Sequence, residues 1–430
     1  MSIASNPRRL WRLVGPGPLV WALLATIAAG PAPAATWDVT PGAGALQRVL
    51  EQAAPGDVLR LGAGVHSGPI TLAKPVTIEG KSGTVIRGSG TGSVITVDAP
   101  DVTLRGLAVR GSGIQLETED SGIFVTGKGD RAIVADNEIA GNLIGVYLKG
   151  PDQARVARNR IEGRGDLRLN ERGNGVHIWN SPGSIVEENL IRAGRDGIFV
   201  TTSKRNIFRG NRFENLRFAV HYMYTNDSEV SFNRSIGNHL GYAIMFSSRI
   251  RAIGNRSLGD RDHGILLNSA NSSVFEDNLV LAGPKKCLFI YNANKNRFAG
   301  NWFEGCGIGI HFTAGSERNA FSGNAFVSNQ WQVKYVGSRY LEWSHQGRGN
   351  YWSDNAAFDL NGDGIADRPY RPNDIVDQLV WRYPAARLLL GSPILQLIRW
   401  AQSALPAIYP GGVTDSAALM APPKRPGGAG

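Results

Sequence analysis

Residues 210–233 read GNRFENLRFAVHYMYTNDSEVSFN, and they decide the fold because Asn211 and Asn233 lie in one local frame, 22 residues apart. The frame recurs through the middle of the chain in steps of 22 or 23 residues, with one step of 30. The asparagines that mark it are Asn137, Asn159, Asn189, Asn211, Asn233, Asn255, Asn278, Asn301 and Asn324. A fixed period in the twenties is typical of a solenoid, in which each repeat packs only on its neighbours.

The residues between the asparagines indicate what each repeat contains. They form short alternating apolar runs with many glycines and no helical periodicity, which predicts strands. Asparagines one period apart would stack into a hydrogen-bonded ladder that keeps their buried amides satisfied. The sequence therefore predicts a right-handed parallel β-helix with coils of 22–23 residues.

The N-terminal segment has the pattern of an export signal. Three arginines precede an apolar run at residues 19–29, and Ala32-Pro33-Ala34 follows as a small-residue cleavage site. The run is too short to span a membrane, so we interpret residues 1–34 as a signal peptide. This interpretation places the protein in a bacterial periplasm or outside the cell. Its removal lowers the formal net charge from +10 to +7, and the scattered basic residues do not indicate a nucleic-acid partner.

The remaining chain divides into two parts. Residues 35–345 are the predicted β-helix, and residues 43–54 have the apolar spacing of a short helix that would cap its first coil. Residues 346–430 form a predicted C-terminal extension with an Asp/Asn/Gly loop, an amphipathic helix near residues 385–404 and a flexible tail rich in proline and glycine. Two long steps predict insertions at residues 111–121 and 163–173, which in a solenoid become loops on one face.

The outward side chains of the coils suggest a metal site. Side chains alternate along a strand, so the residues after the inward ones stack into a column, and a second outward column lies two residues further on. The first column reads Tyr147, His177, Phe199, His221, Met245, Leu266, Phe289 and His311, and Met223 lies in the second. Imidazole and thioether groups suit Cu(I), which makes His221, Met223 and Met245 candidate copper ligands, with His239 and His177 as further candidates. The alternative is an aromatic flank that binds a partner.

A second pattern resembles a calcium loop. Asp359, Asn361, Asp363 and Asp367 place oxygen ligands at alternate positions, with glycine at the sixth place, as at the start of an EF-hand loop. Position twelve is Tyr370 rather than glutamate. The sequence is therefore compatible with a structural calcium ion or with a metal-free turn rich in Asp and Asn.

The predicted C-terminal helix carries an apolar face. Ile394, Leu397, Ile398 and Trp400 lie on that face, and the segment is too short and polar to span a membrane. The face would either pack on the open end of the solenoid or dock on a membrane partner.

A disulfide between the two cysteines is possible in an oxidising compartment, but their register favours unpaired thiols. Cys306 lies one period from residue 283 rather than from Cys287, so the register offsets the thiols along the coil. We expect two small buried side chains.

An enzyme is the competing class, since parallel β-helices often host polysaccharide lyases and epimerases that need paired acids in a groove. Asp196, Asp262 and His263 precede outward columns, yet no second carboxylate aligns with them in the adjacent coils.

The C-terminal residues carry a family resemblance. The runs GNYWSD at residues 349–354, DLNGDGIADRPYRP at 359–372, LVWRYP at 379–384 and PGGVTDS at 410–416 closely resemble the NosD family of nitrous oxide reductase maturation proteins. The resemblance implies a non-catalytic periplasmic subunit that acts with an ABC-type ATPase and permease. It also implies a periplasmic copper chaperone as donor and the copper centres of nitrous oxide reductase as destination. A carbohydrate-active β-helix enzyme, a lyase or an epimerase, remains the alternative.

Overall fold

The computed structural model of this chain describes residues 34–313, 315–389, 392–405 and 411–427. The predicted signal peptide therefore lies outside the described residues, apart from Ala34. No helix in these ranges is long and apolar enough to cross a membrane.

The described chain is a right-handed parallel β-helix, as predicted, with three long parallel sheets. Each coil passes through the first, second and third sheet in turn. The first sheet contains Thr36–Val39, Val58–Leu61, Thr77–Glu79, Thr103–Arg105, Ile133–Ala135, Arg155–Ala157, Ile185–Glu187, Ile207–Arg209, Glu229–Ser231, Arg251–Ile253, Val274–Glu276, Arg297–Ala299 and Ala320–Ser322. The second contains Gly64–Ser67, Thr84–Arg87, Ala108–Arg110, Glu138–Ala140, Arg160–Glu162, Leu190–Arg192, Arg212–Glu214, Arg234–Ile236, Arg256–Leu258, Leu279–Leu281, Trp302–Glu304, Ala325–Val327 and Tyr351–Trp352.

The third sheet has longer strands in its middle coils and carries the outward columns. Its strands are Ile70–Leu72, Ile95–Val97, Ser121–Val125, Ile144–Lys149, Val176–Trp179, Asp196–Thr201, Phe218–Met223, Leu240–Met245, His263–Asn268, Lys286–Tyr291, Ile308–Thr313 and Trp331–Val336. A separate small sheet pairs Leu341–Glu342 with Val413–Thr414.

The asparagine ladder forms as predicted, in the turn between the first and second sheets. Asn211 shows the pattern: its Oδ1 accepts from the backbone N of Asn189 at 3.0 Å and from the Nδ2 of Asn189 at 2.9 Å. Its own Nδ2 donates to the carbonyl of Val186 at 2.8 Å and to Oδ1 of Asn233 at 3.0 Å. Asn350 extends the ladder beyond Asn324. Each buried amide is thus satisfied by the coils above and below it.

The register of one coil differs from the prediction. Met245 was predicted to follow His221 in the first outward column, but the structure pairs Val220 with Tyr242 and His221 with Ala243. Tyr242 is buried because its hydroxyl donates to the carbonyl of Arg256 at 3.0 Å. Met245 therefore lies beside Met223 in the neighbouring strand.

The cysteine prediction is wrong, because Cys287 and Cys306 form a disulfide with their Cα atoms 5.7 Å apart. Cys287 takes a corner position that glycine holds in both adjacent coils, at Gly264 and Gly309. A Cβ built on Gly264 would lie 2.4 Å from the buried side chain of Val280, so side chains at this corner point into the coil. The disulfide therefore joins Cys287 and Cys306 across this corner, although they do not occupy equivalent positions in neighbouring coils. The prediction from the register considered only equivalent positions.

One helix covers the N-terminal end of the described solenoid, and three helical segments follow its last coils. Helix α1 (Ala45–Gln52) buries Leu46 and Leu50, in agreement with the predicted cap. Near the C-terminus, the single predicted helix is a 3₁₀ helix (Pro384–Leu389) followed by α3 (Pro393–Ala404), and α2 (Ile375–Arg382) precedes them.

The tail closes the last coils. The buried carboxylate of Asp415 accepts from the backbone N of Asn350 at 2.7 Å and from Nε1 of Trp352 at 2.8 Å. Strand Tyr351–Trp352 continues the second sheet beyond residue 345. Residues 349–354, 359–372 and 411–416, which carry most of the family resemblance, therefore take part in the closure of the β-helix.

Candidate functional site

A pocket of about 370 Å³ opens on the outer face of the third sheet. Three strands supply its floor: Val176–Trp179, Asp196–Thr201 and Phe218–Met223. The two predicted insertions contribute Leu116, Glu119 and Arg172 to its walls. The outer face of the third sheet would otherwise be flat and open, and the two insertions enclose part of it as a pocket.

A ladder of rings runs along the first outward column of this sheet. Ring centroids are 4.3 Å apart for Tyr147 and His177, 5.0 Å for His177 and Phe199, and 5.0 Å for Phe199 and His221. Because Phe199 stands between the two imidazoles, His177 and His221 are separated by two strand spacings, about 10 Å. A single metal ion cannot bind both.

His221 lies at one end of the pocket and is 8 % exposed. Its Nδ1 donates to Oδ2 of Asp196 at 3.0 Å, and Arg217 donates to both oxygens of Asp196 at 2.8 and 2.6 Å. Although burial raises the pKa of Asp196, the hydrogen bonds from His221 and Arg217 hold it below its ordinary value. The carboxylate of Asp196 therefore accepts from Nδ1–H of His221 and orients its ring. Nε2 of His221 is buried and has no hydrogen-bond partner among the described residues.

The structure brings only some of the predicted copper ligands together. Met223 follows His221 by two residues on the same face and lines the same pocket. Met245 is beside Met223 in the next strand, outside the residues that line the pocket. His239 lies elsewhere, with its Nε2 3.7 Å from Oδ2 of Asp262. Within the described ranges, no three His, Cys, Asp or Glu side chains converge on one metal position.

Sequence reasoning missed the residues that support His221. It treated Asp196 as an isolated acid, although Asp196 lies one coil before the strand that carries His221. The sequence predicted the first insertion, but it did not show that this loop forms a wall of the pocket. Glu119 in that insertion accepts from the Tyr147 hydroxyl at 3.1 Å and from Lys149 Nζ at 2.6 Å, which holds the loop against the third sheet.

The Asp/Asn loop is closed by its own hydrogen bonds. Asp359 accepts from the backbone N of Gly362 at 2.7 Å and of Gly364 at 2.8 Å, and Asp367 accepts from the backbone N of Leu360 at 2.7 Å. Tyr370, at position twelve, is buried and donates to Asp354 at 2.8 Å, so it is not available to a metal ion. Carboxylate oxygens keep further lone pairs, so both the calcium loop and the metal-free turn remain predictions.

Calcium should raise the melting temperature of the wild-type protein if the loop holds the ion, because a ligand that binds the folded state stabilises it. We expect millimolar Ca²⁺ to give this shift, and the Asp363→Ala variant to lose it. The measurement is a thermal unfolding curve with and without Ca²⁺, with Mg²⁺ as the control cation. An unchanged wild-type melting temperature would leave only the metal-free turn.

The predicted docking residues divide between two environments. Ile398 packs against a buried cluster of Val376, Val380 and Leu395, which joins α2 to α3. Ile394, Leu397 and Trp400 are 60 %, 58 % and 67 % exposed. One face of α3 therefore holds the helices together, and the opposite face presents large apolar side chains to solvent.

The fold and this pocket define a parallel β-helix with a walled histidine–methionine site. Comparison with known proteins makes the assignment specific. The family described as "Periplasmic copper-binding protein (NosD)" matches residues 157–357. A "Probable ABC transporter binding protein NosD" from Stutzerimonas stutzeri is 41% identical over 375 residues, which cover 84% of this chain and 86% of the relative. A relative of the same description from Pseudomonas aeruginosa is 41% identical over 376 residues, covering 84% and 88%. The chain belongs to the NosD family.

Solved structures agree on the fold alone. The pre-mature bacteriophage phi29 gene product 12 gives a TM-score of 0.60 at 13% identity, covering 72% of this chain and 50% of that one. The family 6 polysaccharide lyase Pedsa3628 from Pseudopedobacter saltans gives 0.53 at 14% identity, covering 68% and 85%. The family of this chain is described as periplasmic and copper-binding, and its two relatives are named as binding proteins rather than enzymes.

Proposed function

We propose that this protein is a non-catalytic periplasmic subunit that takes up Cu(I) and serves the maturation of the copper centres of nitrous oxide reductase. It acts with an ABC ATPase and permease, receives the ion from a periplasmic copper chaperone and passes it towards the reductase. The family description supports copper as cargo. The names of the relatives support an ABC transporter as partner.

One observation carries the proposal: the buried, unpartnered Nε2 of His221 beside Met223. Neutral imidazole and thioether are ligands that suit Cu(I). Metal-binding histidines usually donate their second N–H to a carboxylate or carbonyl, and Asp196 accepts such a bond from His221. His221 and Met223 would therefore hold the cargo ion, with Met245 next to Met223 as the residue through which it leaves or enters.

The exposed face of α3 fits the membrane partner. Ile394, Leu397 and Trp400 give it apolar area, and the buried contacts of Leu395 and Ile398 hold its orientation. We assign this face to the permease, which would keep the protein at the membrane. The pocket lies on the flank of the third sheet, where the copper chaperone and the reductase would dock.

Cu(I) affinity of the mature protein, measured by competition with a chromophoric chelator, tests the proposal. We expect His221→Ala to lose measurable binding, and Met223→Leu, which removes the sulfur at similar volume, to weaken it strongly. Asp196→Asn should weaken binding about 10- to 100-fold, because it changes the partner of the ligand histidine.

His177→Ala is the matched control, since His177 lies in the same column and pocket about two strand spacings from His221. It should bind Cu(I) as the wild type does. Equal affinity in wild type and His221→Ala would contradict the proposal.

A further inference from the structure

The pocket is larger than one copper ion requires. Its volume of about 370 Å³ lies within the range of small-molecule sites. His221 and Met223 occupy one end. The rest of the pocket, which we call the arginine end, is formed by Asn174 and His177, two coils before His221, and by Arg195 in the coil between.

Two buried polar atoms at the arginine end have no hydrogen-bond partner within the described part of the chain. They are Oδ1 of Asn174 and Nδ1 of His177. Buried polar atoms are almost always hydrogen-bonded to protein, water or ligand. Burial lowers the pKa of His177 to about 4, so its imidazole is neutral at pH 7 and has one N–H to donate. The pair therefore offers one acceptor and one imidazole to a bound molecule.

All but one of the charged side chains that line the pocket are hydrogen-bonded or ion-paired within the protein. Arg217 donates to Asp196, and Arg172 donates to the carbonyls of Leu167 and Gly165 in its own loop. Glu119 is paired with Lys149. The side chain of Arg195 has no hydrogen-bond or ion-pair partner among the described residues. A planar guanidinium is the side chain best suited to bind a carboxylate through two hydrogen bonds.

We propose that the arginine end binds a hydroxycarboxylic acid of the size of a sugar acid. The carboxylate lies on Arg195, the imidazole of His177 donates to the ligand, and a ligand hydroxyl donates to Oδ1 of Asn174. Phe199, Ile144 and Leu116 supply apolar walls beside these groups. The site is separate from the copper end and does not rest on copper transport.

Isothermal titration of the mature protein with D-glucuronate tests this inference. D-glucose, which lacks the carboxylate, and propionate, which lacks the hydroxyls, are the comparison ligands. Arg195→Gln removes the charge. Arg234→Gln is the matched control, because Arg234 is exposed on the second sheet and does not line the pocket.

We expect saturable binding of glucuronate, at least tenfold tighter than binding of either comparison ligand. Arg195→Gln should weaken it by about tenfold or more, the usual effect of losing a charged hydrogen bond, and Arg234→Gln should leave it unchanged. If Arg195→Gln lowers the melting temperature, Asn174→Asp provides the second variant, since its carboxylate repels the ligand. Absence of saturable binding, equal binding of glucose, or full affinity in both pocket variants would overturn the inference. Cu(I) affinity should be retained in Arg195→Gln, which separates this site from the copper end.

Discussion

Replacing Asn211 by alanine should lower the free energy of unfolding by about 2 kcal/mol or more, since one buried donor loses its only acceptor at about 2 kcal/mol. This donor is the backbone N–H of Asn189, which reaches Oδ1 of Asn211, whereas Nδ2 of Asn189 keeps the carbonyls of Val156 and Glu187 as acceptors. The carbonyl of Val186 loses a donor as well. The measurement is chemical denaturation followed by circular dichroism.

Asn170→Ala is the matched control, because Asn170 is exposed in the second insertion, outside the ladder. It should change stability by less than about 0.5 kcal/mol, as surface substitutions usually do. If Asn211→Ala were no more destabilising than Asn170→Ala, the ladder would not contribute to stability.

Replacing Asp260 by asparagine should stabilise the protein at neutral pH. Asp260 occupies, one coil further on, the place of Asn238, and its Oδ1 accepts from the backbone N of Asn238 at 2.8 Å. Burial raises the pKa of Asp260 from its ordinary 3.8 to about 6. At 1.36 kcal/mol per pKa unit, the ionised form costs up to about 3 kcal/mol above pH 6. An amide fits the place, since Asn238 donates to Ser235 at 2.8 Å and Ser257 lies in the equivalent position beside Asp260.

The sign of the pH dependence follows from the raised pKa. The folded state holds its proton to higher pH than the unfolded state, so the stability contributed by Asp260 is complete below pH 3.8 and is lost as pH rises through about 6. The gain from Asp260→Asn should therefore be largest at pH 7.5 and disappear near pH 4. Unfolding curves at both pH values measure it, with the exposed Asp152→Asn as control. An equal effect at both pH values would exclude ionisation as the cause.

The sequence predicted the structural features that recur in every coil, and it did not predict those that occur only once. The period of the asparagines was sufficient for the β-helix and its ladder, because identical residues one coil apart must meet. It placed His221 and Met223 on one face for the same reason. The position of Met245 was wrong because the burial of Tyr242 depends on a carbonyl fourteen residues away, at Arg256.

Contacts between residues that do not occupy equivalent positions in neighbouring coils could not be predicted from the sequence. The disulfide forms across a corner of the coil, and Glu119 reaches the pocket because Tyr147 and Lys149 hold its loop. Asp415 meets Asn350 across 65 residues. Spacing along the chain gives the length of such segments, but the direction in which they fold depends on side chains that share no period with them.

The ring ladder also determines the length of the pocket along the solenoid axis as a whole number of coils. His177 and His221 lie two coils apart, with Phe199 in the coil between them. Adding or removing a coil would change their separation by about 4.8 Å, the spacing of neighbouring strands. Extra residues inserted within a coil do not change this separation, since Asn159 still donates to Asn189 across the 30-residue step. The distance between two side chains in one outward column is therefore a whole number of strand spacings. Evolution can lengthen or shorten the pocket along the axis only by adding or removing whole coils.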